Sequence, residues 1–347
     1  MPLTTEGIKS SLKQVKYPGF SRDIVSFGIV DDIEVVDSKV RVSLIFPKPD
    51  DNIQSEITES VRKVLSKTNG ISDFDISVNV REQRSAPGRQ IPTEPPAQPG
   101  IKHFIAVASG KGGVGKSTVA VNIAIEMSKL VDNVGLMDAD VYGPSIPIML
   151  GVNSRPQVTP EKKIIPIEKY GLKLISIGFL VNEDDAVIWR GPMVHGAIKQ
   201  FIEDVQWEGT DFLVIDLPPG TGDAHLSLIQ AVPLSGALIV TTPQEVALID
   251  VKRGVQMFRK LNVPIVGIVE NMSYLITPGG ETVDIFGRGG GRRIAEKFEV
   301  PFLGEIPIDP QIRKGGDQGT PITLTHADSS AAKAFREISK KVLSTIQ

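Results

Sequence analysis

Two lysines and two hydroxyls stand among glycines in Gly110-Lys111-Gly112-Gly113-Val114-Gly115-Lys116-Ser117-Thr118. Gly110, Gly115, Lys116 and Ser117 fit the pattern Gly-x4-Gly-Lys-[Ser/Thr]. Glycines open backbone angles closed to other residues and leave no side chain in the way of an anion. Successive N–H groups and the positive end of a following helix then surround a phosphate. Lys116 would reach the β- and γ-phosphates as a point charge, and the Ser117 hydroxyl would ligate Mg²⁺. The residues therefore point to a nucleoside triphosphate site.

Carboxylates recur where such a site needs them. Asp138 and Asp140, at i and i+2, share a side if the chain is extended there. They would hold Mg²⁺ through water and orient an attacking water; the alternative is a pair of loop acids capping a helix at Ser145. Asp216 closes the apolar run Phe212–Ile215, the Walker B arrangement for Mg²⁺, and is a better candidate than Asp223. The turn between them, Leu-Pro-Pro-Gly-Thr-Gly, would sense a γ-phosphate through a backbone N–H, or is a structural turn. Asn271 follows another apolar run, and a carboxamide there offers a donor and an acceptor to the edge of a base.

Cysteine is absent, so the chain offers no disulfide, thiolate nucleophile or thiolate metal ligand. The histidines (His103, His195, His225 and His326) have no metal-ligand spacing and read as structural or solvated.

These residues must be carried by elements. Phe104–Ala108 is a continuous apolar run, the pattern of a strand buried on both faces. Ala120, Ile123, Ala124, Met127, Leu130 and Val131 follow at helical spacing, so strand, glycine loop and helix come in the required order. Further runs at 134–137, 172–177, 212–215, 237–240, 265–269 and 302–303 alternate with helical patterns. The fold class expected is α/β, a mostly parallel sheet with helices on both faces over residues 101–347. Ligands in such sheets bind at the carboxyl ends of strands.

Residues 1–80 read as a small α/β domain. Ile8, Leu12 and Val15 suggest a short helix. Asp31–Val36 pairs with a half-buried strand (Val40, Val42, Leu44, Phe46) through Asp37-Ser38. An amphipathic helix at Ile53–Leu65 and a last strand at Phe74–Val80 follow. Asp23, Asp31 and Asp32 read as cap and turn residues. Residues 81–100 hold five prolines and two glycines, a linker composition.

Hydrophobic residues make up 41% and charged residues 23%, with a net charge of −3. That gives no global nucleic-acid footprint. No run approaches the roughly 20 apolar residues of a membrane span. The first residues lack the pattern of a signal peptide, so the expected location is the cytoplasm.

With a second lysine just after its first glycine, the loop is a deviant Walker A motif and resembles the MinD/ParA class of P-loop ATPases. Trp189-Arg-Gly-Pro-Met193, Asp216–Asp223, Glu270-Asn-Met-Ser-Tyr274 and Phe286–Gly291 resemble the Mrp/ApbC family of iron–sulfur cluster carriers. The N-terminal unit, with Arg22–Val30, is similar to the MIP18-like domain. The resemblance implies an Mg²⁺-dependent ATPase, homodimeric around nucleotide, serving apo iron–sulfur proteins or assembly factors. It implies that Lys111 reaches the partner subunit's phosphates, Lys116 holds the bound ATP and Ser117 its Mg²⁺. Asp140 would activate water beside Asp138, Asp216 would be the Walker B residue, and Asn271 would read adenine.

The family typically carries Cys-x-x-Cys after Glu-Asn-Met-Ser, where this chain reads Leu275-Ile-Thr-Pro-Gly-Gly-Glu281. Either a cluster is held jointly with a partner's ligands, or the switch is kept without a cargo site, as an ATP-driven adaptor. A further reading is MinD-like membrane positioning. There Ala334, Phe335, Ile338 and Val342, flanked by basic residues, would lie on anionic lipid or else dock on the sheet.

Overall fold

The computed structural model describes residues 4–18, 23–26, 28–36, 38–46, 51–80, 100–180 and 191–346. It divides into two compact units, Met1–Thr93 and Glu94–Gln347. The expected linker at 81–100 lies outside the described residues except for Gly100, as do Trp189 and Arg190.

In the first unit, α1 (Thr5–Leu12) is capped by the Thr4 hydroxyl, which accepts from the Gly7 N–H. It is followed by β1 (Val30–Val36), β2 (Lys39–Phe46), α2 (Asp51–Ser66) and β3 (Asp73–Val80). β2 runs antiparallel to β1 and parallel to β3, with α2 as the crossover that a parallel pair requires. Val40, Val42, Leu44 and Phe46 point inward against Ile8, Leu12, Ile57, Val61 and Leu65. Val15 is buried as expected, but in the turn after α1. Asp23 closes a turn, accepting from the Ser26 N–H and hydroxyl at 2.8 Å each.

The second unit opens with β4 (His103–Ser109), α3 (Lys116–Ser128) and β5 (Val134–Asp138), then β6 (Ile167–Lys169), β7 (Leu172–Ser176) and α4 (Gly191–Asp204). It continues with β8 (Phe212–Asp216), α5 (Asp223–Ala231), β9 (Gly236–Thr241), α6 (Glu245–Lys260) and β10 (Ile265–Glu270). Two short strands, β11 (Leu275–Ile276) and β12 (Thr282–Val283), form a hairpin. They precede α7 (Gly290–Lys297), β13 (Phe302–Glu305) and α8 (Ser330–Ile346).

The main sheet has the order β13-β10-β9-β4-β8-β5-β7-β6, parallel throughout except for the edge strand β6. The chain leaves β4, crosses through α3 and returns at β5, and β8 later inserts between them. All carboxyl ends of the parallel strands therefore meet at one edge around the Gly110–Thr118 loop. Register sets the detail: Asp216 lies level with Val107 of β4 and with Asp138 of β5.

One helix departs from the sequence expectation, and Asp31 and Asp32, read as cap and turn residues, lie within β1. α3 is not a one-sided helix, because Val119–Met127 is buried all round, and Leu130, expected on its apolar stripe, lies beyond its end and is exposed. The reason is α8, which packs across α3 and β13. Its Ala331, Phe335, Ile338, Val342 and Leu343 are buried, and Arg336 pairs at 3.2 Å with the buried Glu126 of α3. The stripe considered for lipid is thus docked on the protein. Among the described residues no helix is long and apolar enough to cross a membrane.

Candidate active site

The glycine loop is shaped by two left-handed residues and one close approach. Gly113 (φ 80°) and Gly115 (φ 82°) take angles that a side chain resists. Gly115 caps α3 without any side-chain hydrogen bond, so the first helical N–H groups are left for a ligand. Gly110 abuts α6: a Cβ there would sit 2.6 Å from the Asp250 carbonyl carbon. The loop borders a cavity of about 240 Å³ that is also lined by Lys111, Lys116, Asp140 and Pro219. A larger hollow of about 320 Å³ around Asn133 and Tyr170 lies at the amino ends of β5 and β7, on the edge away from these carboxylates.

Lys116 is 6% exposed and is held by carboxylates. Its Nζ donates to Asp216 Oδ1 at 2.6 Å and lies 3.4 Å from Asp140 Oδ2 and 3.3 Å from Ser117 Oγ. Asp216 is fully buried, and its Oδ2 has no partner among the described atoms. Burial pushes its carboxyl above the ordinary value, against the pull of Lys116 and Ser117.

Asp138 and Asp140 do not share surroundings. Asp140 lines the cavity and faces Lys116. Asp138 is withdrawn: Oδ2 accepts from the Ser176 hydroxyl at 2.9 Å and the Ile146 N–H at 3.2 Å, and Oδ1 accepts from the Asp140 N–H at 3.2 Å. The sequence expectation places Asp138 beside Asp140 in binding metal. The Asp138 oxygens are engaged by the chain, and the residue does not line the cavity. Burial, then the neighbouring Asp216 charge, push its carboxyl up to about 7. Ser145 caps the following short helix without a side-chain bond. The capping alternative thus falls to Asp138, through Ile146.

The loop after β8 is tied to the end of β4, just ahead of the glycine loop, at two points: the Leu217 N–H donates to Val107 O at 3.0 Å and the Gly220 N–H to Ser109 O at 2.9 Å. The Asp223 side chain lies outside the described residues. Asn271 donates Nδ2 to Val114 O at 2.8 Å, bracing the glycine loop from beneath. That same amide blocks any side chain at Gly115.

Two buried residues were not anticipated as contributors. Glu270 accepts from the Ser273 hydroxyl at 2.6 Å and from the Gly289 and Gly291 N–H groups at 2.9 and 2.5 Å, fixing the start of α7. His225 lies beneath the Asp216–Gly222 loop. Glu270's position at a strand end beside Asn271 was the available signal; for His225 there was none.

Residues 100–343 match the family described as ParA, the NUBPL iron-transfer P-loop NTPase, and residues 5–78 match the family described as iron-sulfur cluster assembly protein. The "Iron-sulfur cluster carrier protein" of Synechocystis sp. is 40% identical over 98% of this chain and 97% of its own length. Among solved structures, a nucleotide-binding protein from Archaeoglobus fulgidus in complex with ADP is 40% identical. Its TM-score is 0.57, over 63% of this chain and 87% of that one. The cell division ATPase MinD of Pyrococcus furiosus is 25% identical, with a TM-score of 0.54 over 70% of this chain and 98% of that one.

Proposed function

Because this chain belongs to the NUBPL-type iron-transfer P-loop NTPase family, we propose that it binds ATP with Mg²⁺, hydrolyses it in the cytoplasm, and couples that cycle to delivery of iron–sulfur clusters to apoproteins. The observation that carries the reading is the Lys116 ammonium clamped between Asp216 and Asp140 at the mouth of the glycine loop. Before nucleotide arrives, the carboxylates neutralise the buried lysine. Phosphate oxygens then replace them as its partners, which frees Asp140 to orient the attacking water and Asp216 to serve the metal.

The donors suit Mg²⁺: the Ser117 hydroxyl and the unpartnered Asp216 Oδ2 are hard oxygens. Among the described residues no group of three or more His, Cys, Asp or Glu would hold a metal unaided. That agrees with an ion completed by phosphates and water. When bound, Mg²⁺ offsets charge on the transferring phosphoryl group. Gly110–Thr118 binds the phosphates through N–H groups, and Asn271, braced on Val114, turns its carbonyl oxygen to the adenine amine. Lys111 serves the twin subunit's phosphates in a homodimer, so hydrolysis waits on assembly.

The cluster is cargo, and iron–sulfur clusters are held chiefly by thiolates. This chain has none, so the apoprotein client supplies them, and the ATPase acts as a loader rather than a vessel. The test pairs MgATP turnover with anaerobic transfer of iron and sulfide to an apo-ferredoxin. Wild type should turn over ATP and accelerate transfer. Lys116→Ala should lower kcat at least about a hundredfold, since it removes a charge-stabilising group, and should abolish the acceleration. Transfer that is indifferent to ATP defeats the coupling, and iron retained stoichiometrically by this chain alone defeats the loader reading.

A further inference from the structure

We propose that His225 is the positioning residue of the Asp216–Gly222 loop, with its imidazole neutral and its ring hydrogen on Nδ1. This extends the nucleotide reading to regulation of the same site, and it rests on that reading.

Four observations meet at this side chain. It sits in the first turn of α5 and is 2% exposed. Its Nδ1 lies 3.1 Å from Pro218 O. A carbonyl only accepts, so Nδ1 carries the hydrogen. Its Nε2 is buried without a partner among the described atoms, which suits a bare ring nitrogen rather than a second N–H in want of an acceptor. Its ring meets Phe258 of α6 edge-on, with centroids 6.1 Å apart.

Pro218 explains why a side chain is needed. It and Pro219 have no N–H, so the backbone N–H bonds that tie the loop to β4 come from Leu217 and Gly220, on either side of them. The imidazole supplies the third tie between those two, from beneath. Pro219 lines the cavity beside Lys116. The height of the Pro218-Pro219 pair over the phosphate site is therefore set by one hydrogen bond from α5. Phe258 packs edge-on against the ring and supports it in that plane. His225 touches no reacting atom. It acts through the loop.

The experiment uses the full chain with His225→Phe, which keeps the ring and loses the donor, and His225→Asn, whose amide can donate from near the Nδ1 position. Nitrogen-15 spectra of the wild-type side chain should report the Nδ1–H tautomer without nucleotide. His225→Phe should lower kcat about tenfold, the worth of one buried hydrogen bond, with KM within about twofold. His225→Asn should recover most of it. An Nε2–H tautomer, wild-type kcat in His225→Phe, or His225→Asn no better than His225→Phe would overturn the proposal. If the wild type turns over no ATP at all, the hydrolysis reading fails separately. The ratio of ATP to ADP affinity then decides for His225: it should narrow in His225→Phe, and an unchanged ratio overturns the proposal.

Discussion

Asp138 and Asp216 end neighbouring strands in register, yet their surroundings separate them. Adjacent strands stand roughly 4.8 Å apart, and two buried carboxylates at that spacing resist joint ionisation. Their partners differ: the Lys116 ammonium is on Asp216, while Asp138 takes hydrogen bonds from Ser176, Ile146 and Asp140. His225 titrates in the opposite sense to Asp138. Burial, with Lys116 nearby, lowers it from 6.5 to about 4 against the Pro218 bond. Its folded pKa is depressed, so its contribution to stability is complete above pH 6.5 and is lost as pH falls to 4. Asp138, with a raised folded pKa, gains relative stability over much of the same acid window. The histidine effect is therefore read as a difference. From pH 7 to pH 4, the unfolding free energy of wild type should fall by about 3 kcal/mol relative to His225→Phe, measured by urea melts. Parallel curves for the two proteins would contradict the buried neutral imidazole.

At the scale of elements, the glycine loop works because its neighbours fit around it. Gly113 and Gly115 supply the left-handed turns, Asn271 holds Val114 from below, and α6 passes so close to Gly110 that no Cβ fits against Asp250 backbone. Gly110→Ala must therefore move either α6 or the loop. Overpacking of this kind costs about 1–3 kcal/mol. We expect a lowered Tm together with ATP affinity reduced more than tenfold, measured by thermal melts and nucleotide titration. A variant with normal affinity would mean that α6 gives way and the loop is indifferent to it. α3 is the element least like its sequence pattern. Its outer face became interior once α8 covered it, and the buried Glu126 shows the consequence, held by Lys129 at 2.6 Å and Arg336 at 3.2 Å.

At the scale of the molecule, the proposed homodimer gives Lys111 the partner's phosphates to serve, while Lys116 holds the loop's inner position. Lys111 borders the cavity, and its carbonyl accepts from the Ser109 hydroxyl at 2.9 Å. The loop at Lys111 is thereby fixed to the end of β4 while the side chain remains partly exposed. On the dimer reading, Lys111→Ala should keep ATP affinity within about threefold of wild type and lose most turnover. Light scattering should show ATP-dependent dimers in wild type and fewer in the variant. Full turnover in Lys111→Ala would argue for a site complete within one subunit.

Much of this was legible in the residues themselves. The apolar runs became the strands of the sheet because continuous hydrophobicity needs burial on two faces. The glycine spacing specified the loop because only those angles expose a row of N–H groups. The absence of cysteine means that this chain offers no thiolate to a cluster. Tertiary structure decided the rest, because it depends on which strands lie side by side. Insertion of β8 between β4 and β5 brought Asp216 level with Asp138 and within reach of Lys116, a hundred residues away in sequence. Local spacing put Asp138 and Asp140 on one side, whereas Ser176 of β7 drew Asp138 into the interior. His225 gained a role only when α5 carried it under Pro218, and α8 found its apolar partner in α3 rather than in lipid. Those outcomes follow from contacts between distant segments, and no window of sequence contains them.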